Sequence, residues 1–176
     1  MAALPSLLPP SRRRLLAGIA LGLLAGAASA APQAVEGTVL TVSVPAGPDA
    51  TARVQRDFDL AALAAMPQHT IRATLPWFGG PRHFTGPLLR DVVAAVGSGG
   101  RQLVAQALLG DYRAEIPLED LRRWPVIVAY QVDGRPVAVR DKGPLMIVYP
   151  FDDDTALRHT RYLGRAVWHL RRIELH

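Results

Sequence analysis

Beyond its first thirty residues the chain reads as short apolar–polar alternations broken by Gly and Pro, with helical periodicity confined to brief stretches. Thr38-Val-Leu-Thr-Val-Ser-Val44 is β-branched and partly alternating, and it stops at Pro45-Ala-Gly-Pro48, which predicts a strand followed by a turn. Asp59 stands in N-cap position for a short helix over Leu60 to Met66, with Leu60, Leu63 and Met66 on one face and Pro67 ending it. Thr70 to Leu75 alternates as a second strand and runs into an irregular loop, Pro76-Trp-Phe-Gly-Gly-Pro81. The clearest helical stripe is Leu88, Leu89, Val92, Val93 and Val96. Thr85 or Gly86 would cap it, Pro87 would take the first helical position, and Gly97 would end it.

The second half is richer in strand. Leu103 to Leu109 fits a strand or a buried segment of ambiguous period, and Tyr112 to Ile116 alternates after the Gly110-Asp111 turn. Pro117 to Leu121 fits one helical turn. Val126 to Val132 is β-rich, Asp133-Gly134 is the strongest hairpin signal in the chain, and Val137 to Val139 is its expected return strand. Leu145 to Tyr149 is continuously apolar, as a central strand buried on both faces would be. Asp152-Asp-Asp154 breaks the chain at the surface, and Ala166 to Leu170 with Ile173 to Leu175 closes the sheet. No repeat, heptad or internal linker is present. The pattern predicts one α+β domain over residues 31–176, with mixed sheets and a few short helices.

The first thirty residues read as a signal peptide. Ser11-Arg-Arg-Arg14 is a cationic start, Leu15 to Ala27 an apolar run, and Ala28-Ser-Ala30 a small-x-small cleavage site. Ser-Arg-Arg-x-Leu-Leu is also similar to a twin-arginine leader, so both export routes fit, with an uncleaved anchor as a third case. Either route places the mature chain in the periplasm. Cleavage would remove three arginines and no acid, leaving 17 basic against 15 acidic residues and a net charge of +2. That balance, with dispersed arginines, argues against a nucleic-acid partner. There is no cysteine, which excludes a disulfide staple, a catalytic thiol, thiolate ligation of a metal and a lipid anchor.

Candidate chemistry gathers at Arg140-Asp-Lys-Gly-Pro-Leu-Met-Ile-Val-Tyr-Pro150. This stretch holds the only lysine, Lys142, against nineteen arginines. Landmarks in a fixed order accompany it: Met66-Pro-Gln68, Thr74 to Trp77, Phe84-Thr-Gly-Pro-Leu-Leu89, Tyr112 to Pro117, Asp133-Gly134, and Trp168-x-Leu-x-x-Ile173. Across residues 35–176 the chain resembles small exported members of the oxidoreductase molybdopterin-binding domain family, with the sulfite oxidase fold. That resemblance implies a molybdopterin cofactor and oxygen-atom or electron transfer at molybdenum. It also implies a cysteine ligand just after the Ile71–Leu75 strand, where this sequence has Pro76-Trp77. A phosphate-clamping arginine of the family corresponds to Met146.

Six residues are expected to line a ligand pocket: Trp77, Arg82, His83, Tyr112, Arg140 and Lys142. A turn carrying an ammonium, a guanidinium and exposed amides suits an anion, although Arg140-Asp141-Lys142 also fits a solvated turn with a local ion pair. Arg82 and His83 follow a Gly-Gly-Pro loop near the expected metal position, and equally fit a surface loop. His69 and Tyr149 could face the pocket, with ordinary packing as the alternative. Trp168 suits core or pocket wall. The histidines lack metal-ligand spacing, no Gly-x-Ser-x-Gly elbow occurs, and no Gly-rich phosphate loop or dinucleotide fingerprint is present. Three consecutive aspartates read as a solvated loop. Two functions follow. One is a non-catalytic scaffold that binds a small anionic or pterin-like ligand, or docks to a periplasmic or membrane-sensor protein. The other is a molybdopterin-dependent oxidoreductase with non-cysteine ligation of the metal.

Overall fold

A computed structural model describes residues 37–47 and 51–176; the leader and its cleavage point after Ala30 lie outside the described residues. The first half contains β1 (Leu40–Pro45), β2 (Arg53–Phe58), α1 (Leu60–Ala64), β3 (Gln68–Thr74), β4 (Pro81–Pro87) and α2 (Leu89–Ala94). Then come β5 (Gln102–Ala107), β6 (Arg113–Pro117), α3 (Leu118–Arg123), β7 (Ile127–Ala129), β8 (Gln131–Val132) and β9 (Arg135–Pro136). The chain ends with β10 (Met146–Val148), α4 (Thr160–Leu163) and β11 (Leu170–Leu175), and one 3-10 turn, Val139–Asp141, precedes β10.

These strands form three sheets, ordered β2-β1-β11-β5-β6, β10-β7 and β3-β4-β8-β9. The α+β reading of one domain with mixed sheets and a few short helices holds. β11 lies at the centre of the largest sheet, parallel to β1, with Val42 opposite Ile173, and antiparallel to β5. It was expected to close a sheet. Its alternation, with Leu170, Ile173 and Leu175 buried, suits a strand paired on both sides once a register shift between Leu170 and Arg172 is allowed for. Among the described residues no helix is long and apolar enough to cross a membrane.

Other departures have local causes. β2 carries no apolar alternation, yet it pairs with β1 along its whole length as an exposed edge. An edge strand needs backbone pairing but not a buried face, so polar Arg53-Val-Gln-Arg-Asp57 suffices. Residues 81–87, read as loop and helix cap, form β4, and α2 starts only at Leu89 with no side-chain cap. Gly86 is needed there for a different reason: a Cβ would sit 1.9 Å from the Val128 carbonyl oxygen. The Asp133-Gly134 turn joins β8 to β9 as expected, with both residues at positive φ, but the return strand is Arg135–Pro136. Met146 to Val148 is fully buried yet pairs only with β7, so its apolar run reflects packing over a two-stranded ribbon. Asp59 caps α1 by accepting from the Ala62 N–H at 2.7 Å, as its position predicts.

Two of the three aspartates after Pro150 are structural staples. Asp152 accepts from Arg72, from the Thr74 N–H and from the Thr74 hydroxyl, tying this loop to β3. Asp154 accepts from the Trp124 indole at 2.9 Å, and this bond is the main reason its carboxyl lies below the usual range. Asp120, 6% exposed, takes a hydrogen bond from the Tyr149 hydroxyl at 2.8 Å and an ion pair from Arg165 at 2.7 Å. Tyr149 is therefore a buried core group, not a pocket hydroxyl.

Candidate functional site

Four loops meet at one open cavity of about 460 Å³. Trp77 comes from the loop after β3, Leu109 and Tyr112 from the β5–β6 turn, Arg140 and Lys142 from the turn before β10, and Trp168 and His169 from the entry to β11. The fold thus brings together Trp77, Tyr112, Arg140 and Lys142. It does not bring Arg82 and His83 to them. In β4, Arg82 pairs with Asp133 at 3.0 Å, and the His83 N–H donates to the same carboxylate at 3.0 Å. The hairpin turn captures both residues, and these contacts, the His83 N–H foremost, hold the Asp133 carboxyl below its usual range. His69 is exposed on the edge strand β3 and does not line the cavity.

The lysine turn is fixed by backbone geometry. Lys142 adopts a left-handed conformation at φ 75°, and the Gly143 N–H donates to the Ala138 carbonyl at 3.0 Å. Gly143 has no room for a side chain, because a Cβ would lie 2.2 Å from the Val137 carbonyl oxygen. His169 ties the turn to the sheet: its N–H donates to the Lys142 carbonyl at 2.9 Å, and its carbonyl accepts from Leu108 at 2.6 Å. Its Nδ1 lies 2.7 Å from the Gly143 carbonyl oxygen. A carbonyl only accepts, so Nδ1 carries the hydrogen; Nε2 is a lone pair in the neutral ring and a second donor when protonated.

Trp77 and Trp168 stack with centroids 4.6 Å apart and an interplanar angle of 22°. The Lys142 ammonium lies over the Trp168 ring, 4.6 Å from its centroid. Among the described residues Lys142 pairs with no carboxylate; Asp141, beside it, pairs with Arg140 at 3.5 Å. Among the described residues no acidic side chain lines the cavity. Trp77 Nε1 is buried without a hydrogen-bond partner. The Tyr112 hydroxyl is already engaged, donating to the Gly164 carbonyl. The arrangement is a cationic cradle with an aromatic floor. Sequence reasoning did not select His169 or the apolar wall of Ala107, Leu109 and Leu163. A histidine next to a strand-entry tryptophan carries no local signal, and the wall is assembled from three separate loops.

The donor set does not suit molybdenum. The sequence offers no thiolate, no cluster of three metal-ligating side chains occurs among the described residues, and the indole of Trp77 occupies the position expected of the ligand. Met146, at the position expected of a phosphate clamp, is 1% exposed inside β10.

The family described as an oxidoreductase molybdopterin binding domain matches residues 47–167. Among solved structures, sulfane dehydrogenase SoxCD from Paracoccus pantotrophus aligns with a TM-score of 0.58 at 14% identity, covering 78% of this chain and 38% of that one. The likeness is one of fold, and this chain spans about two fifths of that protein's length. No curated protein matches the chain.

Proposed function

The chain belongs to the oxidoreductase molybdopterin binding domain family, and on that scaffold we propose a binding protein, not a catalyst: an exported, periplasmic domain that holds a small anion at the Lys142 turn. The carrying observation is the Lys142 ammonium, set against Trp168 at 4.6 Å in a cavity to which no described residue brings a carboxylate. An ammonium partly desolvated by an indole gains most from an anionic partner that water does not screen. Arg140 lines the same cavity, with its guanidinium paired to Asp141 at 3.5 Å. None of these groups can ligate molybdenum as a thiolate does, so no oxygen-atom or electron transfer at a metal is assigned to them.

Two measurements on protein purified from the periplasm of a molybdenum-replete host test this reading. Metal and pterin analysis is expected to return no stoichiometric molybdenum, and calorimetric titration with sulfate is expected to show saturable binding that weakens as salt is raised. Stoichiometric molybdenum with pterin would overturn the reading in favour of an oxidoreductase with non-cysteine ligation.

A further inference from the structure

From the shape and chemistry of the same cavity we infer that its ligand is an amphiphilic organic anion: one carboxylate, sulfonate or phosphate head on an apolar body. This rests on the anion-binding reading above and goes beyond it by fixing what lies behind the head. The lining is mixed: Lys142 and Arg140 bring charge, Ala107, Leu109 and Leu163 bring apolar surface, and Trp77 and Trp168 bring indole rings. The cavity's volume of about 460 Å³ falls in the range that holds organic molecules, and an inorganic oxyanion would leave most of the apolar lining in water.

The apolar lining is also unusually open. Leu109 in the cavity lining is 56% exposed, and Tyr112, on the same β5–β6 turn, is 43% exposed. Tyr112 spends its hydroxyl hydrogen on the Gly164 carbonyl, so it offers the cavity a ring and not a donor. An exposed leucine and tyrosine ring beside an ammonium that pairs with no carboxylate among the described residues are complementary to a ligand that carries both features. A pterin fits this lining poorly, because a ring rimmed with hydrogen-bonding groups would find no partner on Ala107, Leu109 or Leu163.

The test compares methanesulfonate with benzenesulfonate, which share head and charge and differ in the body, by calorimetric titration of the purified protein and of Leu109→Ser. The surface position of Leu109 lets this variant fold. Benzenesulfonate is expected to bind at least about tenfold more tightly than methanesulfonate. Leu109→Ser should weaken benzenesulfonate about threefold or more and leave methanesulfonate unchanged. Equal affinities for the two sulfonates, or an equal loss of both in the variant, would overturn the apolar body while leaving the anion site standing. Binding of neither would overturn the anion site itself, and the proposal with it. Sedimentation with phosphatidylglycerol vesicles separates a lipid source from a soluble one: uptake by vesicles without binding of either sulfonate would also overturn the proposal.

Discussion

Replacing Lys142 by glycine separates binding from folding more cleanly than any other single change in this protein. Lysine at φ 75° bears a left-handed backbone penalty of about 1 kcal/mol or somewhat more, which glycine does not. Against that relief stand the lost contact between the ammonium and Trp168, about 0.5–1 kcal/mol at a half-exposed site, and the greater freedom of glycine in the unfolded chain, about 0.4–1 kcal/mol. The three terms nearly cancel. Lys142→Gly should therefore hold its stability to within about 1 kcal/mol, a shift of roughly 2–4 °C in thermal midpoint. Anion affinity should behave differently. A charge-assisted hydrogen bond contributes about 1.5–3 kcal/mol, and partial exposure puts this one near the lower end, so sulfate should bind about tenfold to thirtyfold more weakly. Arg140→Ala is the internal control. With its side chain 87% exposed and already paired to Asp141, it should change affinity by less than about threefold. Calorimetric titration at low salt and a thermal melt of each variant decide the matter. Unchanged sulfate affinity in Lys142→Gly would refute the assignment of the ammonium, and a fall of 10 °C or more would show the lysine to be structural.

Trp77→Phe keeps an aromatic ring against Trp168 while removing a buried N–H without a partner, a group whose desolvation costs about 1–3 kcal/mol. Denaturant unfolding should find it at least as stable as the parent, and a loss above about 2 kcal/mol would show that the indole packs irreplaceably. Burial, and then the Asp120 carboxylate, raise the Tyr149 phenol above its usual value, so the folded state holds this proton more tightly than the unfolded chain. Stability from this group is complete below about pH 10 and is lost as pH rises beyond it. Urea unfolding from pH 8 to 11 should accordingly fall more steeply for the parent than for Tyr149→Phe; parallel profiles would contradict the network. Gly143→Ala should destabilise by about 3 kcal/mol because its Cβ meets a backbone oxygen at 2.2 Å. Gly134→Ala, with nothing within 4 Å, should lose only about 1 kcal/mol to its φ of 74°. Circular dichroism melts would rank the pair, and equal losses would remove the steric argument.

What the sequence revealed tracks how local each cause is. The Asp133-Gly134 hairpin and the Asp59 cap were legible because a turn conformation and a side-chain cap are decided within a few residues. The β2 edge escaped notice because its stability lies in pairing with β1, which leaves no apolar signature on its own residues. Gly86 looked like a helix cap beside Pro87, and its real constraint is the approach of Val128, more than forty positions away. The site divides in the same way. Lys142 stood out as the only ammonium, in a Gly-Pro turn, and it does line the cavity. Arg82 and His83 were grouped with it because they follow a glycine-rich loop, but a carboxylate fifty positions away holds them elsewhere. His169 and the leucine wall exist as site features only once β5, α4 and β11 are assembled.

The Lys142 turn is shaped from within the protein. Each contact that shapes the Lys142 turn is made by the protein with itself: Gly143 N–H to Ala138, His169 N–H to Lys142, the His169 ring to Gly143, and a glycine forced by the Val137 carbonyl. None depends on a ligand or a metal for its partner. The central pairing of β1 with β11 fixes where His169 enters, and His169 in turn fixes the turn. Trp77 in turn stacks on Trp168, the ring against which the Lys142 ammonium lies. A turn held in this way keeps its shape whatever occupies the cavity, because the residues that specify a fold need not be those that carry a function.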